Sequence, residues 1–355
     1  MSRLWIWLLL VLTAVMVPAV VRPQPAPGRI VAVGDLHGDH DAWLAIARAA
    51  GLIDAKGRWS GGSTTLVQLG DVVDRGPDSL KIIRHLMKLQ REAPKKGGRV
   101  IALVGNHEAM MMIGDLRYVH PGEFAAFATR GSKALRDRIY ELNKPAIEAA
   151  YRAQSPQMSA EAIEAEWLKT MPLGKLEYQA AWEPNGELGK WAAANPAVVK
   201  LGETLFVHGG ISAAYAGLPI DEINRQVAAA LKAKDESPAT IINHPQGPLW
   251  YRGLISRGDG DEATLAPMPP GATAPLTIDQ EIDLVLKNYG VKRIVVGHTP
   301  SLQGIVAGAN GKLWRADSAN SRAYGGKPSY LEIRRDELVA HAVPRPAAKP
   351  WEAQQ

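Results

Sequence analysis

Five short apolar runs are spaced along this 355-residue chain, and each one ends at a glycine or a polar side chain. The runs cover residues 29–33, 65–69, 100–104, 205–207 and 293–296. Most of their residues are aliphatic, and runs this short that are bounded by glycine are typical of strands buried on both faces of a sheet. The pattern therefore predicts buried strands whose carboxyl ends carry polar groups.

Helical periodicity separates the predicted strands. Residues 78–92 carry apolar side chains at helical spacing, and Pro94 predicts the end of this helix. Residues 278–289 carry a second such pattern, which Gly290 ends. Because strands and helices alternate, the sequence predicts the α/β class, in which ligands bind at the carboxyl ends of the strands.

Polar side chains at the predicted strand ends form a candidate metal-binding set. They are Asp35, His37, Asp71, Asn106, His208 and His298. Carboxylate, imidazole and amide ligands without sulfur suit manganese, iron or zinc. Asp35 and His37 alternate along an extended segment, which places both on one side of it. Any one of these residues alone is explained as a helix cap or turn former, but the same arrangement at five strand ends favours a metal site.

The composition excludes several kinds of active site and binding partner. The chain has no cysteine, which excludes disulfides, thiolate ligands, a cysteine nucleophile and a lipoprotein anchor. Its formal net charge is +5, and the lysines and arginines are dispersed along the sequence. Dispersed positive charge suits an enzyme with an anionic substrate, whereas nucleic-acid binding, including a nuclease activity, needs a concentrated basic surface. No nucleic-acid partner is therefore expected.

The first 21 residues predict export. Arg3 precedes an uncharged apolar stretch from Leu4 to Val17, and a proline and an alanine follow. This is the arrangement of a secretory signal peptide, although the stretch is almost long enough to be an uncleaved membrane anchor. The proline-rich residues 22–28 predict an extended linker. The expected location is the periplasm, either free or anchored in the inner membrane.

The polar clusters that follow the strands are, in order, GDLHGD, GDVVDRG, GNHE, HGG and GHT, and they span residues 34–299. This series resembles the signature of the calcineurin-like metallophosphoesterases, in particular the phosphoprotein phosphatase branch. Two longer stretches, GNHEAMMMIGDLRYV and GPLWYRG, are similar to the Shewanella-like protein phosphatases of bacteria and some eukaryotes. The resemblance implies the metallophosphoesterase fold, a four-layer α/β/β/α sandwich, here with a helical insertion.

The resemblance also implies a centre of two divalent metal ions. The first ion would be held by Asp35, His37 and Asp71, and the second by Asp71, Asn106, His208 and His298. Asp71 would bridge the two ions. Manganese is the expected metal, with iron or zinc as alternatives.

The same resemblance implies the catalytic and substrate-binding groups. His107 would act as general acid on the leaving oxygen, with Asp74 holding its imidazole. Arg75 and Arg252 would bind the phosphoryl oxygens through charge-assisted hydrogen bonds. A hydroxide bridging the ions would attack phosphorus directly, so no phosphoenzyme is needed. Glu108 is given no chemical role and is expected only to support the site.

The implied function is metal-dependent hydrolysis of phosphomonoesters, on a phosphorylated protein or a small molecule. Val104 stands before GNHE where the eukaryotic Ser/Thr phosphatases carry arginine, and WRADSANSRAYGG replaces their toxin-binding loop. These departures argue against a preference for phosphoserine, and the resemblance to the Shewanella-like group implies phosphotyrosine as the expected substrate. The alternatives are a dinucleotide hydrolase of the diadenosine tetraphosphate type and a broad periplasmic phosphomonoesterase. A non-enzymatic binding protein on this fold would show damage to the ligand set, and the sequence shows none.

The domain organisation follows from the motifs. Residues 29–343 are predicted to form the metallophosphoesterase domain, and residues 344–355 a flexible tail. Within the domain, residues from about 121 to 195 are rich in helix-forming residues and predict helices at 124–130, 133–151 and 160–168. We expect a helical insertion over the active-site edge. Its aromatic side chains, and the three methionines at 110–112, are expected to pack in the core.

Overall fold

Two five-stranded sheets form the centre of the computed structural model, which describes residues 28–258, 265 and 274–347. The strands in chain order are β1 (Ile30–Val33), β2 (Thr65–Gln68), β3 (Arg99–Ala102), β4 (Val198–Leu201), β5 (Thr204–Val207), β6 (Arg293–Val296), β7 (Val306–Gly308), β8 (Leu313–Arg315), β9 (Ser329–Arg334) and β10 (Glu337–Ala342). The first sheet has the order β10-β9-β1-β2-β3, and the second has the order β4-β5-β6-β8-β7. All five predicted strands are confirmed.

The helices lie between and after the strands. They are α1 (His40–Ala49), α2 (Ser79–Glu92), α3 (Asn106–Ile113), α4 (Pro121–Ala125), α5 (Ser132–Gln154), α6 (Ala160–Thr170), α7 (Lys175–Trp182), α8 (Glu187–Ala194), α9 (Ile220–Ala233) and α10 (Ile278–Tyr289). The two helices predicted outside the insertion correspond to α2 and α10. Helix α10 has a capping box formed by Thr277 and Gln280, and Gly290 ends it in the left-handed conformation at φ 58°.

The two sheets pack face to face, and helices cover their outer faces. Ile30 and Ala32 of β1 contact an inner cluster that includes Phe206 and Val295 from the second sheet. Val31 and Val33 of the same strand belong to a separate outer cluster that contains side chains of α1 and α2. Because alternate residues of one strand enter two cores, the architecture is the four-layer α/β/β/α sandwich that the resemblance implied.

Parallel pairing brings the predicted ligands to one edge of the sandwich. Strands β1, β2 and β3 pair in parallel, and so do β5, β6 and β8. The carboxyl ends of parallel strands lie at the same edge of a sheet. The two sheets meet at this edge, where His208, directly after β5, is hydrogen bonded to the carbonyl of Leu69, directly after β2. The polar clusters of both sheets therefore face one another.

The polar residues after β3 lie at the start of a helix. Asn106, His107 and Glu108 form the first turn of helix α3, which begins after the extended residue Gly105. The three methionines Met110, Met111 and Met112 are buried in the outer core, as predicted. Asn106, His107 and Glu108 are therefore the first residues of a helix, and its backbone hydrogen bonds fix their orientation.

The insertion contains five helices, α4 to α8, and the prediction of a helix at 124–130 is wrong. Helix α4 instead covers Pro121–Ala125, because Pro121 favours the first helical position and the His120 ring accepts a hydrogen bond from Gly122 N. Helices α7 and α8 were not predicted. The aromatic side chains of the insertion pack inside it as expected, with Trp167, Tyr178, Trp182 and Trp191 buried.

The terminal predictions lie outside the described residues. This applies to the signal peptide or anchor at 1–21 and to most of the linker at 22–28 and the tail at 344–355. Among the helices that the structure describes, none combines the length and the hydropathy that a transmembrane span needs.

Candidate metal centre

All six predicted metal ligands are buried at the common edge of the two sheets. Each of Asp35, His37, Asp71, Asn106, His208 and His298 is at most 5% exposed. Four of them lie within a few residues of a strand end in the first sheet, and two lie after strands of the second. Residues separated by up to 263 positions are in contact, since Asp35 accepts a hydrogen bond from His298 N at 3.1 Å. The sequence pattern therefore identified side chains that the fold brings together.

The backbone around these side chains is strained. His37, Asp71, Asp74, Arg75 and His298 all have positive φ angles, between 40° and 71°. Residues other than glycine rarely adopt this conformation, and they do so mostly where function requires it. Hydrogen bonds hold the strained loops in place, as when the amide of His37 donates to the carbonyl of Asp71 at 3.0 Å. The strain supports a functional role for this edge.

Three imidazoles are fixed in one tautomer by backbone carbonyls. The bonds are His37 Nδ1 to Val73 O (2.9 Å), His208 Nδ1 to Leu69 O (2.7 Å) and His298 Nε2 to Trp250 O (3.1 Å). Because a carbonyl only accepts, each bonded nitrogen carries the hydrogen and the other nitrogen presents a lone pair. A histidine that binds a metal through one ring nitrogen usually donates the N–H of the other nitrogen to such a group.

The free ring nitrogens converge on Asp71. Its Oδ2 lies 3.8 Å from His37 Nε2, 3.8 Å from His107 Nε2 and 3.3 Å from His208 Nε2. Two triads of ligand atoms share this carboxylate, one formed with His37 and His107 and the other with His208 and His298. In each triad all atoms lie within 4.8 Å of one another. Two adjacent cation sites bridged by Asp71 fit this arrangement.

The ring of His208 and the amide oxygen of Asn106 lie close enough together for one cation to bind both. His208 Nε2 lies 3.0 Å from the amide oxygen of Asn106, although both atoms present lone pairs once Nδ1 carries the hydrogen. Burial lowers the pKa of His208, but the charge of Asp71 and their hydrogen bond outweigh it and leave this pKa raised. The raised pKa of His208 indicates that this position favours positive charge, which a divalent cation would also supply. The donor set fits a metal.

The density of buried carboxylates supports the same conclusion. Burial, Asp317 and Asp71 together hold the pKa of Asp35 well above its usual value. Asp317 was not predicted, and burial raises its own pKa to about 6. It follows the short strand β8, whose three residues are too few to be recognised as a strand in the sequence. Cations at this edge would relieve the repulsion among the three carboxylates.

The compact triads differ from the predicted ligand sets in one respect. His107 takes part in the first triad, whereas Asp35, which was predicted as a ligand, does not. Asp35 lies 4.0 Å from His37 Nε2, and its oxygens accept the backbone N–H of His298.

His107 is distinguished by the partner of its Nδ1. That nitrogen lies 2.5 Å from a carboxylate oxygen of Asp74 and not near a carbonyl. Burial lowers the pKa of His107, but the charge of Asp71 and the hydrogen bond to Asp74 outweigh it and leave the pKa raised. In contrast, burial together with the charge of His107 lowers the pKa of His37 to about 3. His107 is therefore suited to carry a proton, whereas His37 is suited to present a lone pair to a metal ion.

The two predicted phosphate-binding arginines act on different histidines of the centre. The charge of Arg75 contributes, after burial, to the lowered pKa of His37. The charge of Arg252 contributes in the same way to the lowered pKa of His298. Each guanidinium is therefore electrostatically coupled to a different triad. This arrangement places positive charge around a position that an anion could occupy.

The structure shows how Glu108, to which the sequence assigned support of the site, performs that task. Its buried carboxylate accepts hydrogen bonds from three backbone N–H groups, those of Asp71 (2.9 Å), Val72 (2.8 Å) and Gly105 (2.8 Å). It thus joins the loop after β2 to the loop after β3. The approach is close, because a Cβ on Gly105 would lie 2.1 Å from Asp71 Oδ1. Glu108 positions the bridging carboxylate without reaching the metal site itself.

A Glu108→Gln substitution should lower the free energy of unfolding by about 1–3 kcal/mol, because the amide nitrogen of glutamine would face a backbone N–H and leave it unpaired. Urea denaturation followed by circular dichroism measures this loss. Glu166→Gln on α6, where the side chain is exposed and pairs with Lys169, is the matched control. Equal stability of the two variants would contradict the positioning task of Glu108.

Comparison with known proteins agrees with this geometry. Residues 28–302 match the family model of the calcineurin-like phosphoesterases. Shewanella-like protein phosphatase 2 of Arabidopsis thaliana is 34% identical over 91% of this chain and 79% of its own length. Shewanella-like protein phosphatase 1 of Plasmodium berghei is 29% identical over 88% of this chain and 74% of its own.

A solved structure, the cold-active protein-tyrosine phosphatase of a psychrophilic Shewanella species, superimposes with a TM-score of 0.62. It is 25% identical in sequence, and the match covers 89% of this chain and 80% of that one. The family model, the relatives and the paired triads around Asp71 point to one conclusion. This chain belongs to the calcineurin-like phosphoesterase family.

Proposed function

We propose that this protein is a metal-dependent phosphatase that acts on phosphorylated proteins and prefers phosphotyrosine. The observation that carries the proposal is the Asp71 carboxylate shared by two ligand triads, with the His107–Asp74 pair beside it. Two adjacent cations and a proton donor are the groups that hydrolysis of a phosphate ester needs. Family membership and the protein phosphatases among the relatives support the same activity.

The proposed metal ligands are the residues that the sequence motifs imply, all of which are buried at this edge. Asp35, His37 and Asp71 would hold one ion, and Asp71, Asn106, His208 and His298 the other. When bound, divalent ions supply positive charge that polarises the phosphoryl group and acidifies water. Manganese is the proposed metal, since ligand sets of oxygen and imidazole without sulfur accept it, as they do iron or zinc.

The side chains around the metal ligands would bind the substrate and move a proton. Arg75 and Arg252 would hold the phosphoryl oxygens from two sides. His107 would donate the proton on Nε2 to the leaving oxygen, while Asp74 holds Nδ1 and stabilises the imidazolium. His37 and His298 cannot take this role as readily, because their lowered pKa values favour the neutral ring.

The preference for phosphotyrosine rests on the solved protein-tyrosine phosphatase to which this chain is similar. The departures from the Ser/Thr phosphatases, at Val104 and in the loop after β8, favour the same preference. A dinucleotide hydrolase and a broad phosphomonoesterase remain alternatives that a substrate panel separates.

The test is phosphate release by the purified protein in the presence of Mn²⁺. We expect release from a phosphotyrosine peptide to be about tenfold faster or more than from a phosphoserine peptide of the same sequence. We also expect excess chelator to abolish release and added Mn²⁺ to restore it, because the centre of the site is built from metal ligands. Release that survives chelation would contradict metal dependence. Turnover of diadenosine tetraphosphate alone would establish the dinucleotide hydrolase.

A further inference from the structure

The guanidinium of Arg75 is held between two tyrosine rings. Its Cζ lies 4.5 Å from the centre of the Tyr118 ring and 5.0 Å from the centre of the Tyr324 ring. Its Nε is buried and has no hydrogen-bond partner in the described part of the chain. Two cation–π contacts restrain the guanidinium, and its N–H groups remain available to a ligand. The two rings therefore limit the orientations in which Arg75 can donate hydrogen bonds to a ligand.

The same two rings also contact the imidazoles of the metal centre. The Tyr118 ring lies 5.4 Å from the His107 ring, and the Tyr324 ring lies 5.2 Å from the His37 ring. Tyr118 is 39% exposed and Tyr324 is half-buried, so part of each ring faces solvent. A phosphate held between Arg75 and the metal centre would have its ester group next to these rings. We refer to Tyr118 and Tyr324 together as the aromatic rim.

Both members of the aromatic rim are fixed by their own backbone segments. The carbonyl of Tyr118 accepts the backbone N–H of Arg75 at 2.9 Å, which anchors the segment after α3 to the strained loop. The neighbouring Arg117 is held by Asp115, and its Cζ lies 5.9 Å from the Tyr118 ring centre. Because two guanidinium groups contact the Tyr118 ring, it loses little freedom when a ligand binds.

Tyr324 is carried by the loop after β8, which is tied to the opposite side of the site. Ser321 Oγ donates to the carbonyl of His37 at 3.3 Å, and Arg322 Nε donates to the buried carboxylate of Asp39 at 2.9 Å. The loop that carries Tyr324 is therefore fixed to the segment that contains His37 and Asp39. The aromatic rim comes from two remote parts of the sequence, and nothing in the mechanism described above uses it.

We propose that the aromatic rim recognises the phenyl ring of phosphotyrosine and so selects aryl over alkyl phosphates. This inference rests on the proposed phosphatase function. Aromatic rings attract one another in tilted or offset contacts, and one such contact corresponds to about a tenfold effect on kcat/KM. The side chain of phosphoserine has no ring with which Tyr118 and Tyr324 could make such a contact. Selectivity would then arise from Tyr118 and Tyr324, while Arg75 binds either phosphate.

The experiment compares kcat/KM for phosphotyrosine and phosphoserine peptides of identical sequence in the presence of Mn²⁺. We expect Tyr118→Ala and Tyr324→Ala each to lower the tyrosine-to-serine ratio by about tenfold. Tyr118→Phe and Tyr324→Phe keep the ring and are expected to keep the ratio. Tyr151→Ala, at a half-buried tyrosine of α5 outside the site, is the control and should behave as wild type. Unchanged melting temperatures confirm that the variants fold.

Three outcomes would overturn the inference. An equal loss on both peptides in the alanine variants would mean that the rings only position Arg75. Metal-dependent release by the wild type without preference for phosphotyrosine would overturn the inference but leave the phosphatase function standing. No release from either peptide by the wild type would overturn the proposed function and the inference together.

Discussion

Replacing Asp71 with asparagine is expected to lower kcat/KM for a phosphomonoester by about a thousandfold or more. Among the described residues, Asp71 alone belongs to both ligand triads. The asparagine side chain keeps the shape but removes the negative charge, and its amide group would face imidazole nitrogens that now lie within 3.8 Å of Oδ2. Divalent ions contribute several kcal/mol to stabilisation of the transition state, and this contribution would be lost with them.

Metal content should fall together with activity in this variant. Wild type loaded with Mn²⁺ and freed of excess ion should retain two ions per chain by atomic emission, and Asp71→Asn fewer than two. Asp283→Asn on α10, whose carboxylate pairs with Lys312 at the surface, is the matched control. An Asp71→Asn protein that keeps both ions and its activity would show that this carboxylate does not bridge the centre.

Much of the site could be predicted because each ligand follows a strand. A strand buried on both faces has an unmistakable composition, and a parallel sheet places all its carboxyl ends at one edge. Asp35, Asp71 and His298 were found from this rule without knowledge of which strands are neighbours. The prediction required only that the polar residue stand within a few positions of the strand end.

The residues that sequence analysis missed are those whose position depends on tertiary contacts. Asp317 and Tyr324 lie after β8, a strand of three residues that gives no recognisable periodicity. Glu108 accepts hydrogen bonds from three backbone N–H groups of two loops. Because almost every residue has a backbone N–H, these partners cannot be recognised from residue types in the sequence. Such contacts become visible only when the loops are placed in space.

The insertion was predicted in outline but not in its helix boundaries. Helices α7 and α8 have eight residues each, a length that shows little more than two turns of periodicity. Gly174 begins α7 in the left-handed conformation at φ 89°, and Gly189 lies inside α8. Both glycines disfavour a helix by local propensity. Packing of the aromatic rings Tyr178, Trp182 and Trp191 against the core overrides that preference.

The second large effect is expected from His107→Asn. If His107 donates the proton to the leaving oxygen, its loss should lower kcat on a phosphotyrosine peptide by about 10²–10⁴-fold. The loss should be much smaller for 4-nitrophenyl phosphate, because nitrophenolate is weakly basic and leaves without protonation. The raised pKa of His107 keeps the imidazolium populated at higher pH than in an ordinary histidine, which suits a proton donor. Steady-state kinetics on both substrates measures the difference.

The same variant decides whether His107 is a proton donor or a metal ligand, since the geometry places its Nε2 in the first triad. A proton donor predicts two bound ions in His107→Asn and a loss that depends on the leaving group. A ligand predicts a missing ion and an equal loss on both substrates, which would contradict the assignment. His341→Asn, at a half-exposed histidine of β10 that contacts Glu332, is the control. Asp74→Asn should show the same dependence on leaving group, because Asp74 stabilises the imidazolium from Nδ1.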